Sequence, residues 1–266
     1  MQTGAEGEVR GLAYLNGKIY TLQADSKFVI VYTHGTLDDY WVPEEIENTS
    51  FNRPQDIAAC SDRNVVYILD QSCIWELDKS HKISIYVQLS DPYATMSATK
   101  EHILLISSSV IRKCKDRFIG KRSVMEVRLP VGLSQLRPWH ALKVDGGHVI
   151  AHTEAAKFHR VSKIVVSQWN KAQVEVSTFG KEAGDGINQL RNPVYLALEP
   201  KHGHIFVADH DNRRVVVLDS ELRTRVLMIS DLPEGCYPSR LCYVEESNEL
   251  LVGMSKGRVI AYKILW

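Results

Sequence analysis

The chain has 266 residues, 44% hydrophobic and 24% charged, with 32 basic side chains against 32 acidic ones and a formal net charge of zero. That is an ordinary soluble globular composition, and a balanced charge gives no global field that would draw the chain onto nucleic acid. No run approaches the roughly 18 apolar residues of a membrane span, and residues 1–8 lack the apolar core of a signal peptide.

The predicted elements come in triplets of short strands rich in β-branched and aromatic residues, each bounded by turn residues. The first triplet opens near Val9, turns at Asn16-Gly17 and continues at 19–22 and 28–32. The second opens at Pro54, turns at Ser61-Asp62 and continues at 65–69 and 74–77. The third opens at Pro92, with strands at 103–106 and 110–114. The fourth opens at Pro138, turns at Gly146-Gly147 and continues at 148–151 and 161–166. Residues 152–160 between them carry the best helical alternative and read as a long loop. The fifth opens at Pro193, with strands at 205–208 and 215–218. The sixth opens at Pro238, turns at Ser247-Asn248 and continues at 250–253 and 259–264. Successive openings lie roughly 38–55 residues apart, the period of propeller blades. Six copies predict an all-β fold: a six-bladed β-propeller of four-stranded antiparallel blades around a central channel, one domain over residues 1–266.

The fifth copy is the sharpest. It reads Leu190-Arg191-Asn192-Pro193-Val194-Tyr195-Leu196, then Ile205-Phe206-Val207-Ala208-Asp209-His210-Asp211-Asn212-Arg213-Arg214-Val215, after a loop with Gly180, Gly184 and Gly186. The second, from Phe51-Asn52-Arg53-Pro54 to Tyr67-Ile68-Leu69-Asp70, is a fair match. On these residues the chain resembles the NHL-repeat β-propellers, in particular the C-terminal domains of tripartite-motif proteins. The resemblance implies a domain of a larger cytoplasmic protein that binds single-stranded or hairpin RNA, or a protein partner, on an arginine-rich face. No RING or B-box pattern of Cys and His is present, so any ubiquitin-ligase activity would lie outside this chain.

The loops leading into the innermost strands and those joining second to third strands share one face. Two positions after each opening stand Gly11, Asp56, Ala94, His140, Tyr195 and Arg240, which are expected to rim the channel. Around them come Arg53, Arg137, Trp139, Arg191, Asn192 and Tyr237, then Lys27, Lys157, His159, Arg160, His210, Arg213, Arg214, Lys256 and Arg258. Arginine forks suit phosphates and aromatic rings suit unstacked bases. The expected partner-binding set is therefore Arg53, Arg137, Trp139, His140, Arg191, Tyr195, Arg213, Arg214, Tyr237 and Arg240. Within it, Arg137, Arg191, Arg213 and Arg240 would position phosphates, and Trp139, Tyr195 and Tyr237 would stack bases. Asp70 and Asp209 are expected to brace their own turns.

The alternative is an enzyme, a hydrolase or lyase, with Asp56, His140, Tyr195 and Arg240 in the channel mouth. A zinc site needs three or more converging ligands, and the rim offers only Asp56 and His140, so neither metal nor cofactor is expected there. No Gly-x-Ser-x-Gly elbow occurs. Residues 180–186 lack the strand-to-helix setting of a phosphate loop and read as a flexible connection. A second basic cluster, Arg112, Lys113, Lys115, Arg117, Lys121 and Arg122, falls on an outer edge, where charge discourages strand addition. The opposite face is more acidic, with Glu245, Glu246 and Glu249 in one turn.

Five cysteines without a Cys-x-x-Cys pair read as reduced core thiols, with a Cys236–Cys242 disulfide as the minor alternative. The outer strand of the sixth blade is missing after residue 264. It is expected either from a weak pairing of residues 1–8 with 259–264 or from sequence beyond this chain, the latter being favoured.

Overall fold

The computed structural model describes residues 7–35, 41–99, 102–108, 111–114, 124–126, 136–154, 157–166 and 173–266. It is an all-β, six-bladed propeller. Blade one is β1 (Val9–Leu15), β2 (Lys18–Gln23), β3 (Phe28–His34) and β4 (Trp41–Glu47). Blade two is β5 (Asp56–Cys60), β6 (Val65–Leu69), β7 (Cys73–Leu77) and β8 (Ile83–Gln88). Blade three is β9 (Thr95–Ala98), β10 (Ile103–Ile106), β11 (Ile111–Cys114) and β12 (Val124–Glu126). Blade four is β13 (Leu136–Val144), β14 (Gly147–Glu154), β15 (Phe158–Val166) and β16 (Gln173–Phe179). Blade five is β17 (Pro193–Glu199), β18 (His204–Asp209), β19 (Arg214–Leu218) and β20 (Arg225–Ile229). Blade six has three strands among the described residues, β21 (Pro238–Val244), β22 (Glu249–Met254) and β23 (Val259–Lys263). Every strand pairs antiparallel with its sequence neighbour.

The middle strands are apolar on both faces because each blade is sandwiched between two others. All five residues of β6 (VVYIL) and of β19 (RVVVL) are buried. The outermost strands are solvated: β4 (WVPEEIE) exposes a row of glutamates beside Pro43. Charge and proline on an edge block further strand pairing. One apolar cluster fills each junction between neighbouring blades. The ring closes through the last of them, where Val9, Leu12 and Ile19 of blade one meet Val244, Leu251 and Val259 of blade six. Ser239 adds a polar stitch there, its hydroxyl donating to the carbonyls of Val9 (3.0 Å) and Gly253 (3.1 Å).

Two stretches differ from expectation. Residues 152–154 and 158–160 are strand rather than loop, paired at the ends of β14 and β15 with His152 opposite Arg160 and Glu154 opposite Phe158; residues 155 and 156 lie outside the described residues. These strands outlast the period because Phe158 and Arg160 stack at 4.5 Å and Arg160 pairs with Glu154 at 3.3 Å. Residues 180–186 are not a free connection either. Arg214 donates to the carbonyls of Asp185 (2.8 Å) and Gln189 (2.8 Å), and Asn212 to that of Gly184 (2.8 Å).

At the N-terminus, the Glu8 carbonyl accepts from the Ala24 amide (2.9 Å), so the chain there extends the β1–β2 ladder. Residues 1–6, on which the closing-strand expectation mainly rests, lie outside the described residues. All five cysteines are free thiols, four of them buried, and Cys236 and Cys242 are not joined. In the second basic cluster, Arg112 pairs with Asp91 and donates to Tyr93 (2.9 Å), and β12 covers the edge of β11; residues 115–123 lie outside the described residues.

Gly11 is needed at the junction of blades one and two. A Cβ there would sit 2.9 Å from the Ile57 amide nitrogen and from its Cγ1, closer than real Cβ atoms come. Gly11→Ala should therefore push the two blades apart and cost about 1–3 kcal/mol, read as a lowered urea midpoint with an unchanged slope.

Candidate functional site

Four inner strands carry a β-bulge one residue after the opening position. The register slips between Val9 and Gly11, Pro138 and His140, Pro193 and Tyr195, and Pro238 and Arg240. A bulge inserts one residue and re-aims the side chains beside it. The inserted residues are Arg10, Trp139, Val194 and Ser239, and all four line a cavity of about 310 Å³ at the channel mouth. After three of these bulges the next residues, His140, Tyr195 and Arg240, turn toward the channel, where Asp56 of the unbulged β5 joins them.

The filling residues are Asp56, His140, Tyr195 and Arg240, brought together from blades two, four, five and six. Asp56 has no exposed surface. Its carboxylate accepts from the amides of Ile57 (2.9 Å) and Met96 (2.9 Å), the Tyr195 hydroxyl (3.3 Å to each oxygen) and Arg240 Nε (3.3 Å). Burial raises this carboxyl to about 6, although Arg240 and the two amides pull the other way. The His140 ring stacks on Tyr195 with centroids 3.8 Å apart. Its Nδ1 accepts from the Leu196 amide (3.3 Å), which leaves the proton on Nε2 to face the Met96 carbonyl (3.3 Å). Burial, helped by Arg240, lowers His140 to about 3, so the ring is neutral. Arg240 also donates to the carbonyls of Arg10, Ser239 (2.8 Å) and Gln55 (3.2 Å), and its guanidinium lies 5.0 Å from the Tyr195 ring centre.

Asp56, His140 and Tyr195 are thus a plug rather than a rim, and Arg240 does both, closing the plug with its guanidinium while lining the mouth cavity. The ring nitrogens of His140 are both engaged, and Tyr195 is buried, so neither presents itself to a partner. Arg214 is buried as well, clamped on Asp209 (2.6 Å). In its own loop, Asp209 also accepts from the Arg191 amide (2.6 Å). Asp70 does the same in blade two for the amides of Asn52 (2.9 Å), Arg53 (2.7 Å) and Gln71 (2.7 Å) and for Trp75 Nε1 (3.1 Å). Each aspartate therefore ties an inter-blade loop to the end of a second strand, which is more than bracing its own turn. Arg213 stands at left-handed φ (53°) closing a one-turn 3-10 helix and donates to the Pro233 carbonyl (3.3 Å).

The remaining expected residues reach solvent. Arg53, Arg137 and Arg191 are exposed. Arg137 covers the Trp139 ring at 4.6 Å, and Tyr237 stacks on His210 at 5.0 Å across blades five and six. Two residues that the sequence reading missed, Arg10 and Gln55, stand one position before the ones it named and line the mouth. A second depression of about 280 Å³ adjoins it, lined by Arg53, Gln71 and Tyr93, and shares Gln55, Ala94 and Ser108 with the first. Among the described residues, Arg10 Nη1 and Trp139 Nε1 are buried donors without a hydrogen-bond partner. Buried polar groups are nearly always satisfied, and one that is not calls for an explanation.

A Ser–His pair lies in blade four, His152 Nε2 to Ser162 Oγ at 2.8 Å, with Thr178 next in line at 3.1 Å. Both members are wholly buried, so the pair is a polar stitch through the blade.

Among solved structures, the chain is similar to the WD40 β-propeller domain of Doa1 (12% identity, 98% of this chain and 94% of that one, TM-score 0.65). It is also similar to the propeller domain of Cps50 (Swd1) from Myceliophteria thermophila (8% identity, 98% of each chain, TM-score 0.62). An auxiliary nutrient binding protein from Bacteroides thetaiotaomicron matches as well (8% identity, 96% of this chain and 69% of that one, TM-score 0.66). No family model and no curated protein matches the chain. At such identities the likeness is one of fold.

Proposed function

We propose that this chain is a non-catalytic recognition module of NHL type that works in the cytoplasm and takes an acidic segment of a protein partner at the channel mouth. The observation that carries the reading is that two residues lining the cavity, Arg10 and Trp139, each hold a donor, Nη1 and Nε1, unpartnered among the described residues. The two donors stand on blades one and four, opposite each other across the ring, so one acidic side chain of the segment would serve Arg10 and a second would serve Trp139. Flanking residues of the segment would run outward over Arg137, Arg53 and Arg191, which are exposed. Single-stranded RNA fits less well, because one of three expected stacking rings, Tyr195, is buried in the plug. Another, Trp139, is capped by Arg137. Free, mostly buried thiols suit a reducing compartment.

The test is fluorescence anisotropy of the full chain with a labelled glutamate-rich peptide and, separately, with uridine-rich single-stranded RNA, each at low and high salt. The peptide should bind, and Arg137→Ala and Arg10→Ala should each weaken it about tenfold. Binding of RNA alone, with a steep salt slope, would move the assignment to nucleic acid. Binding of neither would overturn the site.

A further inference from the structure

At the far end of blade five from the channel mouth, three side chains converge. Glu199 ends β17 and His204 opens β18, directly opposite each other on the last rung of the ladder. His202 stands between them in the turn, which Gly203 closes at φ +74°. His202 Nδ1 is 3.1 Å and His204 Nδ1 3.3 Å from the same carboxylate oxygen, Glu199 Oε2. All three ligand atoms lie within 4.8 Å of one another. Ligands bonded to zinc at its usual distances stand ~3.3 Å apart at the edges of a tetrahedron. Two of the three edges already have that length.

We propose that Glu199, His202 and His204 form a binding site for a divalent transition metal of the zinc class, with two imidazole nitrogens and one carboxylate oxygen as ligands and solvent completing the shell. Chemistry supports the choice of ion. Imidazole with carboxylate suits zinc and its neighbours, whereas calcium and magnesium ask for oxygens alone. The site is also braced before any ion arrives. Glu199 is buried and accepts from the amides of Lys201 (2.6 Å) and His202 (2.9 Å). Those amides fix the carboxylate in place before any ion arrives. His204 is held from its other side by Trp266, whose ring stacks on it at 4.3 Å while its Nε1 donates to Asn248 (3.1 Å). Among the described residues, His204 Nδ1 has no hydrogen bond of good geometry although the atom is buried, and a metal would complete it. His202 is the most exposed of the three, with 42% of its side chain open, and gives the ion its way in.

Trp266 supplies a readout independent of any activity. Zinc should bind the full chain in calorimetry with micromolar affinity, and Co²⁺ should bind with tetrahedral d–d bands and no thiolate charge-transfer band. Cu²⁺ should quench Trp266 fluorescence, and Trp266→Phe should lose that quenching while keeping zinc. His202→Ala and His204→Ala should each weaken zinc on the order of 100-fold, and His81→Ala, remote from the site, should leave it unchanged. His202 lies on the surface, so its variant should fold; Glu199→Gln, which keeps the shape, checks the third ligand. Zinc affinity no better than millimolar, or affinity indifferent to His202→Ala and His204→Ala in folded protein, would overturn the site.

Discussion

Replacing Asp56 by Ala should cost about 3–5 kcal/mol of folding stability, the range for one partner removed from a buried ion pair. The carboxylate sits at the hub of the ring. It belongs to blade two and is bonded to Met96 of blade three, Tyr195 of blade five and Arg240 of blade six. Without it the guanidinium of Arg240, only 11% exposed, keeps its charge and loses its counter-ion. The amides of Ile57 and Met96 lose their acceptor in the same step, and each unsatisfied donor is expensive in a dry interior. Asp56→Asn keeps the shape and one acceptor, so it should cost roughly half as much. Urea unfolding measures both. The plug also sets the mouth: Arg240 donates to the Arg10 carbonyl, so Asp56→Ala should loosen Arg10 and weaken the acidic peptide as well. In a double-mutant cycle, Arg240→Ala should add little once Asp56 is gone, giving a coupling of about 2 kcal/mol or more. A loss under 1 kcal/mol for Asp56→Ala would mean the plug is not what ties the blades together.

The ring of blades was legible in the sequence because it follows from period and hydrophobic run alone. Pro54, Pro193 and Pro238 sit where inner strands begin, and short apolar runs such as 205–208, bounded by turn residues and repeated at blade spacing, read as middle strands of a packed sheet. Part of the mouth was legible in the sequence, with Arg137, Trp139, His210 and Arg240 in its lining, but His140 and Tyr195 lie one position too deep. Counting two places from each opening led to His140, Tyr195 and Arg240, and the count presumes an unbroken pleat. The bulges at Trp139, Val194 and Ser239 break it. At Trp139 and Val194 the inserted residue lines the mouth and its successor turns into the channel. A bulge at a non-glycine residue has no composition of its own, so nothing in Arg137-Pro138-Trp139-His140 announces it. Arg214 was misplaced for a related reason: its neighbour Arg213 takes up the left-handed turn, which swings Arg214 inward onto Asp209. The cluster of Glu199, His202 and His204 was visible as a spacing, Glu-x-x-His-x-His, but it lies on the face from which a propeller reading looks away.

Stability should fall as pH drops from 7 towards 4, by on the order of 1–3 kcal/mol per pH unit. Three histidines cause it. Burial lowers His140, His148 and His152 to about 3 each, with Lys113 and Lys143 adding to the effect at His148 and Arg160 at His152. Above about pH 6.5 these rings are neutral in the folded and unfolded chain alike, and their contribution is fully present. Below it the unfolded chain binds protons that the folded one refuses, so folding loses ground until the folded values near 3 are reached. Asp56 works in the opposite direction. Its folded value near 6 lies above that of the unfolded carboxyl, so between about pH 6 and 4 the folded chain holds a proton that the unfolded one lacks. Asp209, raised chiefly by burial, acts in the same sense as Asp56. Three rings against these carboxyls leave a net uptake of protons on unfolding, hence the sign. Urea midpoints at pH 7, 6 and 5 give the slope, and His148→Gln should remove about 1.4 kcal/mol per unit from it. The imidazole Cε1 resonances of the three rings should stay at their neutral positions down to pH 5. Titration of any of them near pH 6.5 in the folded chain, or a stability flat from pH 7 to 5, would show that water reaches the rings and that the inner strands are packed more loosely than the distances around the plug imply.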